Sequence, residues 1–349
     1  MISMQSLSSI SVKPWIFTTL NWFEKNIPAT VLTDKNDLLM FINALQAIIN
    51  QYNEEIYVPI VQNDLQRSKY GKLSGPLVKI LDHIKSKASN KATIDQLIND
   101  IIDNGLKNKA KGYIEGKLVL DLVRIIVMDD NLWNDNSPVG KSTTMKYLIA
   151  EIPANVKSFL IIKGISEKEG LGGRSDYFKP PLRDIALAFL GSILTFVSYI
   201  PGENGENSYI YIGMSPDTWT ILSRGGSAKD IVERFRPIRN IFRQVFNVEF
   251  SLPLEFALIY AAARISRYMP SKQIRRQIMI GNYLEILTLS RGAKSQNFVT
   301  QLDTYSIDDY LIALRRTRMT RLITSLAGLL RHYECFKDNK GLAKDIAGL

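Results

Sequence analysis

The segment that most constrains this chain is residues 308–333, DDYLIALRRTRMTRLITSLAGLLRHY, which has the spacing of an amphipathic helix. Ser306 and Asp309 suit its start, because their side chains can bind free amides of the first turn. Arg315 falls within the apolar stripe, where an unpaired guanidinium is costly, so it needs a carboxylate, backbone carbonyls or a phosphate as partner. The arginines at the edges of the stripe are Arg316, Arg318 and Arg321, and the stripe itself contains Leu311, Ile312, Met319, Leu322, Ile323, Leu326, Leu329 and Leu330.

Basic residues are distributed unevenly along the 349 residues. Residues 1–223 contain 23 Lys and Arg and 23 Asp and Glu, whereas residues 224–349 contain 21 and 11, so the second part carries the whole net charge of +10. Its bases are 15 Arg and 6 Lys, against 4 Arg and 19 Lys before it. Because the planar guanidinium suits phosphate and carboxylate, the second part predicts a polyanionic partner.

This change in composition, together with the chain length, predicts two domains with a boundary at the Arg-Gly-Gly-Ser of residues 224–227. The fold class expected is mixed, mostly α with minor β: a mixed α/β domain over 1–223, then a helical bundle. Residues 118–128 are apolar and fit either a buried helix or a strand. In the first domain, helices are predicted near 33–52, 74–87, 93–105 and 182–200, strands at 156–163 and 209–212, and a basic surface segment at 107–117.

The sequence of residues 224–349 predicts an Arg-rich four-helix bundle. Its third helix is expected to run from Ser271 to Gly292. Cations at the start of a helix oppose the macrodipole by about 0.3–1 kcal/mol each. A cluster of cations at a helix start, with few acids nearby, therefore favours a phosphate ligand over internal ion pairs. It forms where the second helix ends and the third begins, and contains Arg264, Arg267, Lys272, Arg275 and Arg276.

The loop 172–181 supplies a further candidate contact, because it combines glycines with aromatic and basic side chains. Arg174, Tyr177 and Lys179 could hold a flexible strand or a partner. A structural turn with packed aromatics explains the same residues equally well.

Enzyme signatures are incomplete, and no catalytic residue, cofactor or metal is predicted. Residues 139–143, Val-Gly-Lys-Ser-Thr, resemble the end of a phosphate-binding loop, but Asp135 stands where that pattern requires glycine. Glu115 and Lys117 with Asp103 imitate a metal-dependent nuclease site, although the setting is that of a solvated loop. Adjacent acids at 129–130 are typical of a turn. One cysteine and two histidines exclude a disulfide framework and argue against zinc.

A cytoplasmic protein without a membrane span is expected. The chain does not open with a basic stretch followed by an apolar core, as a signal peptide would. Its longest uncharged run, residues 185–202, contains Ser192, Thr195, Ser198 and Pro201 and is interpreted as a buried helix.

At residues 179–191, KPPLRDIALAFLG, with the SYIPG of 198–202 and the basic C-terminal helices, the chain resembles a known family. It is similar to the large subunit of archaeal type I-A CRISPR interference (Cascade) complexes. The resemblance implies a mixed α/β N-terminal part and a C-terminal helical bundle. It also implies a role in a ribonucleoprotein: recognising the motif beside the target, helping guide RNA pair with DNA, and recruiting a helicase–nuclease.

The function expected from the sequence is therefore that of a nonenzymatic, nucleic-acid-binding subunit. Its partners would be guide RNA, target DNA or both, with the other subunits of the complex. Two alternatives stay open: a P-loop-like NTPase or metal-dependent nuclease, and a pure scaffold whose arginines meet acidic protein surfaces. The sequence does not separate RNA from DNA as the ligand.

Overall fold

The computed structural model describes residues 19–60, 65–67, 69–137, 139, 181–201, 207–214, 216–246, 283–291 and 297–306. These residues are mostly helical, with small antiparallel sheets. A short 3₁₀ helix covers Ala29–Val31. The α-helices are α1 Thr19–Lys25, α2 Lys35–Gln51, α3 Pro76–Lys87, α4 Lys91–Lys107, α5 Gly116–Met128, α6 Asp130–Trp133, α7 Leu182–Thr195, α8 Pro216–Ser223 and α9 Ala228–Phe246.

All the described strand pairs are antiparallel, and they form three sheets. Two sheets have two strands each, β1 with β4 and β2 with β3, and the third has four in the order β5-β6-β7-β8. Between β6 and β7, the register runs from Asn207 opposite Arg291 to Met214 opposite Leu284. The strands are β1 Tyr57–Pro59, β2 Gln66–Arg67, β3 Leu73–Ser74, β4 Tyr113–Glu115, β5 Phe196–Ile200, β6 Asn207–Met214, β7 Tyr283–Arg291 and β8 Asn297–Ser306.

The N-terminal helices confirm most of the periodicity analysis. Helices α2 and α3 lie where helices were predicted, near 33–52 and 74–87, and α2 buries an apolar stripe. Residues 118–128 lie in α5, which settles the choice between helix and strand. Helix α4 starts earlier than the predicted Thr93, because the Asn90 side chain accepts a hydrogen bond from the Thr93 amide and caps it. The buried stripe of α2 is Leu38, Phe41, Ile42, Leu45, Ile48 and Ile49.

Helix α7 lies at the centre of the core and is buried around nearly its whole circumference. It packs against α1 and α5. Gly191 makes the contact with α1 possible, because a Cβ there would lie 2.1 Å from the Phe23 carbonyl oxygen. The helix predicted over 182–200 ends at Thr195, and the aromatic and β-branched residues that follow form β5, which pairs with β6.

Buried polar contacts join the four-stranded sheet to α1. The side chain of Asn26 accepts from the Met214 amide at 2.9 Å and donates to the Trp22 carbonyl at 2.7 Å. The Trp22 indole donates to Glu285 of β7 at 2.8 Å, and Lys25 lies 2.7 Å from the same carboxylate. Helix α1 therefore contacts strands from both predicted domains.

The prediction of a third bundle helix ending at Gly292 is wrong over residues 283–291, which form β7. This segment pairs with β6 on one side and β8 on the other, so tertiary pairing overrides its helical spacing. The first helix of the predicted bundle is α9. The second helix, the start of the third and the predicted helix of 308–333 lie outside the described residues, as does the predicted strand at 156–163. The strand predicted at 209–212 lies within β6 and is confirmed.

The predicted boundary at 224–227 falls on the turn between α8 and α9, where Gly225 has a φ of 61°. The described residues on its two sides nevertheless pack together. Helix α9 packs against α2 and β5, and the four-stranded sheet combines strands from before and after the turn. Over the described residues, the two predicted units share one hydrophobic core.

Hydropathy adds one observation about the helices. Among the residues that the structure describes, no helix combines the length and the apolar character needed to cross a membrane. The run predicted as one buried helix over 185–202 is divided between α7 and β5 instead.

The contact at Gly191 gives a test of the core. We expect Gly191→Ala to lower the free energy of unfolding by about 1–3 kcal/mol or more, because the new methyl group meets rigid backbone at Phe23. Urea denaturation followed by circular dichroism measures this. Ser192→Ala on the same helix is the matched control and should cost less, because it removes one hydroxyl that bonds to the Phe189 carbonyl. An equal loss for both variants would contradict the close approach of α7 to α1.

Candidate nucleic-acid interface

The residues predicted to bind nucleic acid lie outside the described residues, so their roles stay predictions. This holds for the corner cluster, for the 308–333 segment and for the loop 172–181. The residues concerned are Arg264, Arg267, Lys272, Arg275, Arg276, Arg315, Arg316, Arg318, Arg321, Arg174 and Lys179.

The arginines of α9 are described, and they contact the protein itself. Three of them surround the buried carboxylate of Glu54. Arg236 Nε lies 3.2 Å from Glu54 Oε1, and Arg243 Nη1 lies 3.6 Å from Oε2. Arg239, whose side chain is 1% exposed, donates a hydrogen bond to Oε2. We call Glu54 and these three arginines the Glu54 cluster.

Backbone carbonyls accept the remaining hydrogen bonds of these arginines. Arg239 donates to the Leu194 carbonyl at the end of α7, and Arg243 donates to the Val197 carbonyl in β5, each at 3.2 Å. Arg234, the fourth arginine of α9, donates to carbonyls at the end of α8 and in the turn after it. The α9 arginines therefore hold α9 against α7, β5 and α8. Their positive charges are bound by groups of the protein itself.

The local sequence explains why Glu54 points into this cluster. Tyr52 follows the last residue of helix α2 as its C-cap, and Asn53 adopts a positive φ of 46°, which asparagine tolerates better than most residues. The Glu54 amide then donates to the Ile49 carbonyl at 2.9 Å, and the Asn53 amide donates to the Asn50 carbonyl at 3.3 Å. This pair of bonds is a Schellman motif, which reverses the chain and fixes the position of Glu54.

The Glu54 cluster contains three arginines and one carboxylate, so it has more positive than negative charge. Burial lowers the pKa of Arg239 to about 10, while Glu54 raises it and the neighbouring arginines lower it further. Burial also lowers the pKa of Arg243, against the effect of Glu54. The guanidinium of Arg236 lies 3.2 Å from the centroid of the Tyr52 ring, which adds a cation–π contact. Arg239 and Arg243 remain charged at neutral pH.

In the loop that resembles a phosphate-binding loop, the Asp135 side chain is bound to other groups of the protein. Asp135 accepts hydrogen bonds from the amide and the hydroxyl of Ser137, and its other oxygen lies 2.8 Å from His83 Nε2. Burial raises the pKa of Asp135, but these hydrogen bonds and Lys87 bring the net pKa below its usual value. An amide that a phosphate would need is thus bound to a carboxylate, while residues 140–143 lie outside the described part.

Two of the other acids considered for metal binding, Asp129 and Glu115, also have protein partners. Asp129 caps α6 through the Asn131 amide and accepts from the Ser89 amide at 2.7 Å. Glu115 accepts from the Asn104 side chain at 2.8 Å. Within the described ranges, no group of three or more His, Cys, Asp and Glu is arranged to hold a metal ion.

A buried carboxylate pair was missed by sequence reasoning, because its members come from distant helices. Burial raises the pKa of Glu24 on α1 to about 7, and Asp184 raises it further, whereas Arg183 lowers it. Burial likewise raises the pKa of Asp184 on α7 to about 6. The Arg183 guanidinium stacks on the Trp133 ring at 4.7 Å. Shifts of this kind occur at catalytic sites and in structural clusters alike, so the pair by itself defines no reaction.

A second basic surface lies in the N-terminal part, on the hairpin of β2 and β3. We call residues 65–74 the basic hairpin. Arg67, Lys69 and Lys72 are exposed, and Tyr70 is 85% exposed, the largest value among the exposed large hydrophobic residues that the structure describes. Gly71 has a φ of 75°, and a Cβ built on it would meet nothing within 4 Å. The tip of the hairpin therefore projects from the body of the protein.

The basic hairpin emerges beside the turn after α4, residues 107–112, which we call the lysine turn. Leu65 at the base of the hairpin is buried against Gly105, where an added Cβ would lie 2.4 Å from Leu65 Cδ1. Just before the hairpin, the Ile60 amide donates to the Gly112 carbonyl at 2.8 Å. Neither 65–74 nor 104–114 contains an acid. The turn adds a partly buried Lys109 between exposed Lys107 and Lys111.

Side chains from the four-stranded sheet fix the lysine turn. Asn207 donates to the Lys111 carbonyl at 2.8 Å, and the Tyr199 hydroxyl donates to the same oxygen at 3.2 Å. The Tyr209 hydroxyl donates to the Gly112 carbonyl at 2.7 Å. These hydrogen bonds hold the turn with Lys107 and Lys111 exposed. Sequence analysis predicted a basic surface segment over 107–117, but only 107–112 form this turn, whereas Tyr113 and Ile114 are buried in β4. It missed the hairpin, whose signal is the run Arg-Ser-Lys-Tyr-Gly-Lys at 67–72.

Comparison of the chain with protein-family models, curated proteins and solved structures finds no match in any of the three.

The Glu54 cluster predicts a large effect from a small substitution. Glu54→Gln leaves three guanidinium groups around a neutral amide, so we expect the free energy of unfolding to fall by about 3–5 kcal/mol. Thermal and urea denaturation of the full chain measure it. Glu233→Gln is the matched control, because Glu233 lies on the exposed face of α9 and is paired only loosely with Lys229 at 3.7 Å. If both substitutions left stability unchanged, the cluster would not hold α9 in place.

Proposed function

We propose that this protein is a nonenzymatic, nucleic-acid-binding subunit of a larger RNA-guided assembly, of the CRISPR interference kind that its sequence resembles. The observation that carries the proposal is the net charge of +10, which lies in residues 224–349 and exceeds what the α9 arginines use internally. A basic excess of this size favours a polyanionic ligand. Guide RNA, target DNA and the other subunits are the partners proposed.

The described arginines sharpen this proposal. One carboxylate from the neutral part, Glu54, binds three arginines of α9, so these arginines are assigned to the fold. The arginines proposed for phosphate contact are those that follow α9, at the corner cluster and in residues 308–333. Arg315 is proposed to combine both roles because of its place in an apolar stripe.

Most of the residues that carry the family resemblance lie in the hydrophobic core of this protein, and not in a binding site. Residues 182–191 lie in α7, which is buried among the other helices. The resemblance therefore supports the proposed assembly through the fold. The support for a nucleic-acid ligand is the positive charge of residues 224–349.

The proposed nonenzymatic role has two supports. Asp135 binds a loop amide that a phosphate would require, and the acids Asp129 and Glu115 are engaged as helix cap and side-chain acceptor. Recruitment of a helicase–nuclease, which the resemblance implies, would supply the chemistry of target destruction from another protein.

Salt dependence tests the proposal. If about five to seven cations neutralise phosphates, the logarithm of the binding constant for duplex DNA should fall against the logarithm of salt with a slope near −4 to −6. Arg275→Ala with Arg276→Ala should flatten this slope by about one to two units with little change in sequence preference.

The matched control is Lys91→Ala with Lys229→Ala, which removes the same charge from exposed positions of α4 and α9. This control should leave the slope unchanged. Equal slopes for the wild type and the Arg275/Arg276 variant would place the contact elsewhere. No binding by the wild type at any salt concentration would favour the scaffold alternative.

A further inference from the structure

The N-terminal part is neutral as a whole, but it does not present a neutral surface. Its acids and bases balance in number, whereas the basic hairpin and the lysine turn contain six cations and no acid. The two segments adjoin, because Leu65 packs on Gly105 and Ile60 bonds to Gly112. A local excess of positive charge therefore exists in the half of the chain where the composition predicts none.

The hairpin combines this charge with an exposed aromatic ring. Tyr70 is 85% exposed at a tip flanked by Lys69 and Lys72. Burying a tyrosine ring is favourable, so a ring held out in solvent beside cations is typical of a binding surface. The paired strands β2 and β3 fix the position of the ring, and the left-handed Gly71 closes the turn.

The chemistry selects a single-stranded nucleic acid over an acidic protein. Lysine and arginine would contact phosphates of the strand, and the tyrosine face would stack on a base. Base faces are available in a single strand and hidden in a duplex. An acidic protein surface would pair with the cations but would give the ring no matching partner. The tyrosines beside the lysine turn pack on one another, as Tyr57 does on Tyr113 at 4.1 Å between centroids, whereas Tyr70 is 85% exposed.

We propose that the basic hairpin and the lysine turn form a binding surface for single-stranded nucleic acid, with Tyr70 stacking on a base and Arg67, Lys69, Lys72, Lys107 and Lys111 contacting the backbone. This surface is distinct from the arginines after α9, and it deepens the proposed function by adding a second contact to it. It reads no particular sequence, because stacking accepts every base.

Fluorescence anisotropy with the full chain tests this surface. The probe is a labelled oligodeoxythymidylate of about 20 nucleotides, longer than one binding site, with a duplex of equal length as comparison. Tyr70→Ala should weaken binding of the single strand by about 5- to 100-fold, while Tyr70→Phe keeps the ring and should bind like the wild type. Duplex binding should change much less in both variants.

A charge variant provides the second arm. Lys69→Ala with Lys72→Ala should flatten the salt slope for the single strand by about 1.4 units, since each phosphate contact contributes about 0.7. Met128→Ala controls for loss of an exposed large side chain, and Lys91→Ala with Lys229→Ala controls for loss of two charges. Both controls should bind like the wild type.

The outcomes separate this inference from the proposed function. If the wild type binds nucleic acid but the Tyr70 and Lys69/Lys72 variants bind equally well, the hairpin surface is overturned and the proposed function stands. If the wild type binds neither single strand nor duplex, both the hairpin surface and the proposed function are overturned. Equal losses on single strand and duplex in Tyr70→Ala would overturn stacking as the mode of contact.

Discussion

A buried carboxylate shared by three arginines is the interaction on which the described fold depends. Glu54 is held at the end of α2 by the Schellman motif, and α9 brings Arg236, Arg239 and Arg243 to it. Removing one member of a buried ion cluster costs more than the cluster contributes, because the remaining charges lose their partner. Helix α9 is thereby tied to α2, α7 and β5, and the turn at 224–227 joins two parts that share a core.

The cluster also explains why arginine content was an incomplete guide to function. The α9 arginines resemble a nucleic-acid-binding set in composition, but their counter-charge lies far away in the chain, in a segment counted as neutral. Conversely, the exposed cations of the basic hairpin are hidden in the balanced count of residues 1–223. Net charge per segment averages over surface and interior, whereas binding depends on what stays exposed.

Sequence reasoning succeeded where one element determines its own structure. The helices predicted near 33–52 and 74–87 and the strand predicted at 209–212 follow from local spacing and are confirmed. It failed at 283–291, because the helical spacing there is satisfied equally by a strand once β6 and β8 are available as neighbours. The Glu54 cluster and the Glu24–Asp184 pair could not be predicted, since each depends on packing between helices that are distant in sequence.

We propose that the cations have two separate roles: the α9 arginines hold the fold, and exposed cations elsewhere contact nucleic acid. Lysine footprinting by acetylation and mass spectrometry, with and without a single-stranded oligonucleotide, measures this on the intact chain. The account predicts protection of Lys69, Lys72 and Lys111 on binding, with Lys229 on the exposed face of α9 equally reactive in both states. Bound oligonucleotide that protects Lys229 and leaves the basic hairpin reactive would contradict it.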